Sequence, residues 1–313
     1  MTSSKAGRIA TLAVSVAVLA LLVWRVDPRR VSRDFEGVRW GWVIATACLN
    51  LANTGIEAVR WRLLAKPVAP GVRLRSTFNG LLAGTLGNVL LPFKLGDGAR
   101  AYVFAQAEGI PLAAAISTVV LDRMLDMAGF VVLAALTALV APLPSRVVHM
   151  VPRAVAGLGV VIAVLFALTR WRRRRDLAAA RRPGRVLAHF DRFRAGLSAL
   201  HTGHLLVPAI GVAALSWTVK MSLVWTMFQA FDLSLPLVAP AVLLVVVNLG
   251  IAIVGTPGNI GSFELASIGG LALFGVADDV AFSFAAALHV TEVLPVVVLG
   301  LVMMWTGRLP LQR

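Results

Sequence analysis

The chain has 313 residues, of which 58% are hydrophobic and only 14% charged, with 30 lysines and arginines against 15 acids and a formal net charge of +15. Soluble domains carry about 25% charged residues, so a mean hydropathy of +0.84 places the chain in lipid and excludes an ordinary soluble enzyme. The arginines cluster in connections between apolar runs, a pattern set by membrane topology, and no nucleic-acid partner is expected.

Residues 8–24 form the first expected span, with Lys5 and Arg8 at its start. No small-x-small cleavage site precedes Arg25 and further spans follow, so the segment reads as a retained helix, not a signal peptide. Residues 40–59 are the second span, with Trp40, Trp42 and Trp61 suited to the two interfaces. Cys48, the single cysteine, reads as a small buried hydrophobe within it. A basic loop follows, where Arg60 and Arg62 read as side chains snorkelling to an interface. Residues 78–92 are too short to cross, and their glycines and closing Pro-Phe-Lys-Leu-Gly sequence suggest a re-entrant hairpin.

Residues 112–140 are long enough to cross with tilt, and 154–169 form a marginal span. The connection after it holds ten arginines between positions 170 and 194, the signature of a cytoplasmic loop. Alternation back through the chain then puts the N-terminus inside, but leaves Arg25, Arg29, Arg30, Arg33 and Arg39 outside, against the same rule. Residues 205–231 cross again and carry Lys220; residues 237–255 are another span, ending at Thr256-Pro257-Gly258-Asn259-Ile260-Gly261. Residues 262–275 are short enough for a second half-helix, and residues 280–306 form the last span. The expected fold is all-α: one polytopic bundle over residues 1–313, with seven to eight spans and two short broken or re-entrant segments.

Polar residues interrupt the apolar runs where lipid tolerates them least: Asn79, Asn88, Lys94, Asp97, Arg100, Asp122, Arg123 and Asp126. Ionisable groups at membrane depth cost at least a few kcal/mol each and mark ligand or ion paths. Asp122 and Asp126 are four apart and share a helix face, with Arg123 beside them and three residues from Asp126. Asp122 lies roughly 15 Å along the helix from residue 112, near mid-bilayer. Lys94, Arg100 and Lys220 are the expected partners. Two readings stay open: a path in which cations hold a phosphate and acids balance the rest, or a permanent ion-pair network that locks helices together.

Pro92 and Gly96, with Asp97, and Pro257, Gly258 and Gly261, with Glu264, each combine a backbone break with an acid. Paired broken segments are a pointer to the site of a transporter built from repeats. Asn79 and Asn88 either bond across helices or satisfy backbone freed at the break, and Glu264 lies where a helix N-terminus favours a carboxylate. His289 and Glu292, three apart in the last span, read as a packing pair or a proton relay. The tryptophans read as interface anchors. The chain has no glycine-rich Gly-Lys-Ser/Thr loop, nucleophile elbow or H-E-x-x-H spacing, so no cofactor, metal or ATP-driven step is expected.

The run Leu90-Leu91-Pro92-Phe93-Lys94-Leu95-Gly96-Asp97-Gly98-Ala99-Arg100, then Leu121-Asp122-Arg123-Met124-Leu125-Asp126, and finally Pro257-Gly258-Asn259-Ile260-Gly261-Ser262-Phe263-Glu264 resembles the signatures of the lysylphosphatidylglycerol synthase transmembrane domain family. These flippase-like proteins read roughly N-x-x-L-P-x-R-x-G-E-x-x-R, E-R-x-x-D and P-G-G-x-G-x-x-E, and the likeness runs from about residue 8 to residue 306. It implies a multi-pass protein of the cytoplasmic (inner) membrane that binds and moves phospholipid or a related lipid between leaflets. Lys94, Arg100, Arg123 and Lys220 would hold an anionic or zwitterionic headgroup, and Asp97, Asp122, Asp126 and Glu264 would balance or select it.

Lys94 departs from a family arginine, Asp97 and Asp122 from glutamates, and Asn259 from a glycine. A lysine offers a point charge where arginine offers a planar fork. The aminoacyl-transfer domain of bifunctional members does not follow in this sequence, so lysyl transfer is not expected. The alternatives are a non-transporting membrane partner of a separate lipid or glycan biosynthetic enzyme, and an intramembrane lipid-modifying enzyme.

Overall fold

A computed structural model describes residues 35–90, 95–141, 192–254 and 256–305, with scattered positions between 152 and 167. There is no strand among the described residues. The helices are α1 (Trp40–Ala65), α2 (Leu74–Leu90), α3 (Gly96–Glu108), α4 (Leu112–Val140), α5 (Gly203–Ala230), α6 (Ala239–Ile253), α7 (Ser262–Ala272) and α8 (Asp278–Trp305), with short 3₁₀ turns at Leu197–His201 and Pro257–Asn259. The first expected span, Pro92, Lys94 and most of the arginine-rich connection lie outside the described residues, as does much of the span at 154–169.

Among the described residues, three helices are long and apolar enough to cross a membrane: α4, α5 and the bulk of α8. Their outward faces are apolar. On α8, Val290, Leu294, Val298 and Leu301 recur at three- and four-residue spacing and are all about half exposed, a stripe that suits lipid and not water. α1 is long enough as well, at 26 residues; it carries Glu57, Arg60 and Arg62 in its second half. The chain is therefore an all-α, multi-pass bundle whose apolar surface faces outward and whose charges on α4 and the second half of α1 gather toward the interior.

α1 and α5 run antiparallel along their length. The Arg39 amide donates to the Ala230 carbonyl at 2.9 Å, the Thr46 and Thr226 hydroxyls pair at 2.8 Å, and Ser216 Oγ donates to Asn53 Oδ1 at 2.9 Å. Cys48 on α1 is exposed on the outer surface, not buried as expected, because the inward face of this helix is given over to its polar residues. Trp40 and Trp42 are exposed as interface anchors would be, but Trp61 is completely buried and Trp217 nearly so. Trp61 faces inward because α1 continues as a helix to Ala65 instead of ending at residue 59.

α2 and α3 form an antiparallel hairpin of two short helices, 17 and 13 residues long, or roughly 25 and 20 Å. Glycines let their backbones meet. A side chain at Gly80 would run into the Trp61 ring, one at Gly87 into the Gly96 backbone, and one at Gly96 into the Gly84 carbonyl and Asn88. α6 and α7 repeat the arrangement with 15 and 11 residues and with Gly250 against Ala266 and Gly270 against Leu243. The two hairpins meet near their breaks: the Pro257–Asn259 turn packs on α2, with Gly258 opposite Val89. Half-helix pairs that meet at their breaks are the geometry found in transporters built from repeats.

Candidate functional site

The charges anticipated on α4 converge with residues from α1, α3 and α5 in one cluster. At its centre Asp122 is completely buried and accepts one guanidinium on each carboxylate oxygen. Arg60 Nε donates to Oδ1 at 2.8 Å and an Arg100 terminal nitrogen donates to Oδ2 at 2.7 Å. All three side chains are only 1–2% exposed. The Arg100 guanidinium also lies 4.0 Å from the Trp61 ring centroid, a cation–π contact, while the Trp61 indole N–H donates to Thr118 Oγ1 at 3.1 Å. Shared between two fixed cations, a buried carboxylate has its charge met and both of its oxygens engaged.

Around this dry centre the pairs open outward. Arg60 also donates to Asp126 at 3.0 Å, and Lys220 sits 3.0 Å from Glu57 and 3.3 Å from Asp126, above the Trp217 ring. These Lys220, Glu57 and Asp126 side chains are about one-fifth exposed. Farthest out, Arg123 grips Asp97 with two nitrogens, at 2.6 and 3.0 Å, and its side chain is 42% exposed. Asp97 lies in the first turn of α3, just past the break.

Arg60 is buried at the centre, where snorkelling was expected. Arg62, two residues on, points the other way and donates to the Val72 carbonyl at 2.9 Å. Arg123 reaches Asp97 and not Asp126, its neighbour three residues away, because Asp126 is already held by Arg60 and Lys220. Arg100 and Lys220 do reach the α4 acids. Glu57 was missed altogether, although Asn50, Asn53, Glu57 and Arg60 recur at three- and four-residue spacing along one face of an otherwise apolar helix, a legible signal of a polar inward stripe.

The two asparagines of α2 are placed differently. Asn88 Oδ1 accepts the Gly96 N–H across the first break at 2.9 Å, satisfying backbone that the interrupted helix leaves free, while Asn79 is buried within the hairpin. At the second break Gly258, Asn259 and Gly261 all adopt positive φ, at 60°, 59° and 84°. Glu264 caps the start of α7, its Oε2 accepting the Gly261 N–H at 2.7 Å. Its other oxygen lies 2.7 Å from His289 Nδ1. His289 is thus paired with Glu264, on a different helix, in place of the expected Glu292.

A bundle with apolar outer stripes, two broken hairpins and an inward charge cluster defines a polytopic integral membrane protein with a polar interior. Its sequence matches the model of the lysylphosphatidylglycerol synthase TM region over residues 8–300, and the chain belongs to that family. It is 26% identical over 275 residues to a UPF0104 membrane protein of Methanothermobacter thermautotrophicus, covering 81% of each chain. A second UPF0104 membrane protein of that organism is 23% identical over 287 residues, covering 86% of this chain and 84% of its own. The glycosyltransferase AglD of Haloferax volcanii is 25% identical over 121 residues, 38% of this chain and 19% of AglD.

Proposed function

We propose that the protein moves a phospholipid, or a related lipid with a phosphate headgroup, between the leaflets of the cytoplasmic membrane. The observation that carries this reading is the Arg123–Asp97 pair: a bidentate fork, part-exposed, next to the N-terminus of α3. Arginine forks and helix N-termini both favour phosphate. A headgroup phosphate that takes the place of Asp97 keeps Arg123 paired, and the released carboxylate is free to meet the cationic part of a zwitterionic headgroup. Lys220, in the partly open ring, adds positive charge along the route, and Lys94, three residues before Asp97 in sequence, is a further cation proposed for the headgroup. In this scheme Arg60, Asp122 and Arg100 position the site without touching lipid, since they are buried and already paired with one another.

The test is reconstitution in liposomes with a leaflet-reporting fluorescent phospholipid. The purified protein is expected to accelerate exchange, and Arg123→Ala to abolish the acceleration while remaining folded. No acceleration with any phospholipid tested would end the proposal. One observation favours a second reading: the shared segment in a protein named as a glycosyltransferase fits a membrane component that supports a lipid or glycan biosynthetic enzyme. A synthase that co-purifies stably with a chain inactive in exchange would select it.

A further inference from the structure

His289 carries a constraint that follows from hydrogen-bond chemistry alone. Its Nε2 lies 2.9 Å from the Gly258 carbonyl oxygen and its Nδ1 lies 2.7 Å from Glu264 Oε1. A carbonyl cannot donate, so Nε2 must carry a hydrogen, and a neutral imidazole has only one. The Nδ1 contact therefore needs a second proton, held either by the ring as imidazolium or by the carboxyl as the acid. In both cases the pair holds one proton more than a neutral histidine beside a carboxylate. The remaining Glu264 oxygen is occupied by the Gly261 N–H, and Phe263 stacks on the imidazole at 4.6 Å between centroids, which fixes the ring against both acceptors.

Removing that proton would set two lone pairs against each other at hydrogen-bond distance, inside a site where His289 is 8% and Glu264 6% exposed. Buried polar groups that lose their partner are costly, and the nearest relief is separation of the break from α8. We propose that His289 and Glu264 form a proton-binding site whose occupied state clamps the turn between α6 and α7 onto α8, and whose emptying releases that turn. Because the same turn packs on α2, the clamp also holds the two breaks together. The proton is then the ligand that regulates access to the charge cluster; this role rests on the translocation reading, whereas the proton binding does not.

The charged side chains acting on His289 are Glu264 from α7 and Glu292 from its own helix. Glu292 is in turn acted on by Lys220 of α5, which also holds Glu57 of α1. Asn50 of α1 is neutral and gives its amide to the Thr291 and Glu292 carbonyls. α6 has no titratable residue, and α2 has only Arg75 at its start.

The experiment is hydrogen exchange on the full-length protein in lipid nanodiscs across a pH series, corrected for intrinsic exchange, read at the amides of residues 258–265. The wild type is expected to lose protection there on the order of tenfold as the pH rises and the shared proton is lost, the scale of one strong hydrogen bond. Glu264→Gln supplies the missing hydrogen permanently: its amide nitrogen donates to Nδ1 and its oxygen still accepts from Gly261. That variant is expected to stay protected at every pH, and His289→Ala to stay unprotected at every pH. A flat wild-type profile, or a Glu264→Gln profile that titrates like the wild type, would overturn the clamp. Liposome exchange run in parallel keeps the two proposals separable, since protection and translocation are read independently.

Discussion

The two breaks solve one problem, satisfying backbone that an interrupted helix leaves free, with different chemistry. The first uses the neutral Asn88 amide and is flanked by arginine–aspartate pairs, residue types that ordinarily titrate well away from neutrality. The second uses Glu264 backed by His289, the side chain whose charge is most easily changed in that range. Under the two proposals above, one region is a fixed electrostatic frame and the other an adjustable joint. Opening and closing around a charged ligand would need both, because a frame that titrated would fall apart and a joint made of arginine would not move.

The largest effect should come from breaking the frame. Asp122→Ala leaves Arg60 without its central partner and Arg100 without an ion-pair partner, among side chains only 1–2% exposed. Breaking a buried pair costs about 3–5 kcal/mol, and here two cations lose their partner together. The variant is expected to be recovered poorly, with a thermal unfolding midpoint in detergent well below that of the wild type. A near-wild-type midpoint would mean that the cluster admits water and is not the dry frame described above.

Next in size is the close approach that holds the first hairpin. A side chain at Gly96 would meet the Gly84 carbonyl and Asn88, whereas Gly98, two residues on, has nothing within 4 Å of an added methyl group. Gly96→Ala is expected to cost about 1–3 kcal/mol through overpacking. Gly98→Ala should be neutral or slightly stabilising, by up to about 1 kcal/mol, since alanine loses less chain entropy in a helix. Comparable unfolding midpoints for the two would show that the hairpin is not held by its glycine contact.

Much of this division was legible in sequence. The lengths of the apolar runs placed α4, α5 and α8 within a few residues, and the glycine–proline punctuation marked both breaks. The acids on α4 were visibly in need of partners, and Arg100 and Lys220 met that need. What sequence did not locate was the end of α1. With the span stopped at residue 59, Arg60 and Trp61 became interface residues; one more helical turn carries both into the interior. The His289–Glu264 pair was hidden for a different reason. Its members are 25 residues apart on helices whose packing is a tertiary fact, and the nearer Glu292 offered a local alternative. Asn259 departs from a family glycine, and its positive φ shows what the position demands.

Arg123 is where stability and the proposed function are expected to separate. Its pair with Asp97 is part-exposed, and ion pairs in that setting contribute about 0–1 kcal/mol. Arg123→Ala should barely move the unfolding midpoint while removing lipid exchange, the reverse of what Asp122→Ala does to stability. Arg123→Lys should retain part of the exchange rate, because the charge survives and the fork does not. If Arg123→Ala unfolds the protein as Asp122→Ala does, the rim belongs to the frame and the proposed headgroup site loses its main support.

The smallest effect probes the joint. Asn259 sits at φ 59° between two glycines that also need positive φ, Gly258 and Gly261. A left-handed backbone costs ordinary residues roughly 1–2 kcal/mol, and asparagine is among the few that enter it with less strain. Asn259→Gly should therefore stabilise the break slightly, by a few tenths to about 1 kcal/mol, and Asn259→Ala should weaken it by a similar amount. Amide protection at residues 258–265 resolves such small differences locally, where a global midpoint would not. The conformational cost acts at every pH, so these substitutions should shift the protection level without changing its pH dependence. A change in that dependence would instead mean that Asn259 shapes the protonation of His289, and the backbone and the proton would then be one device.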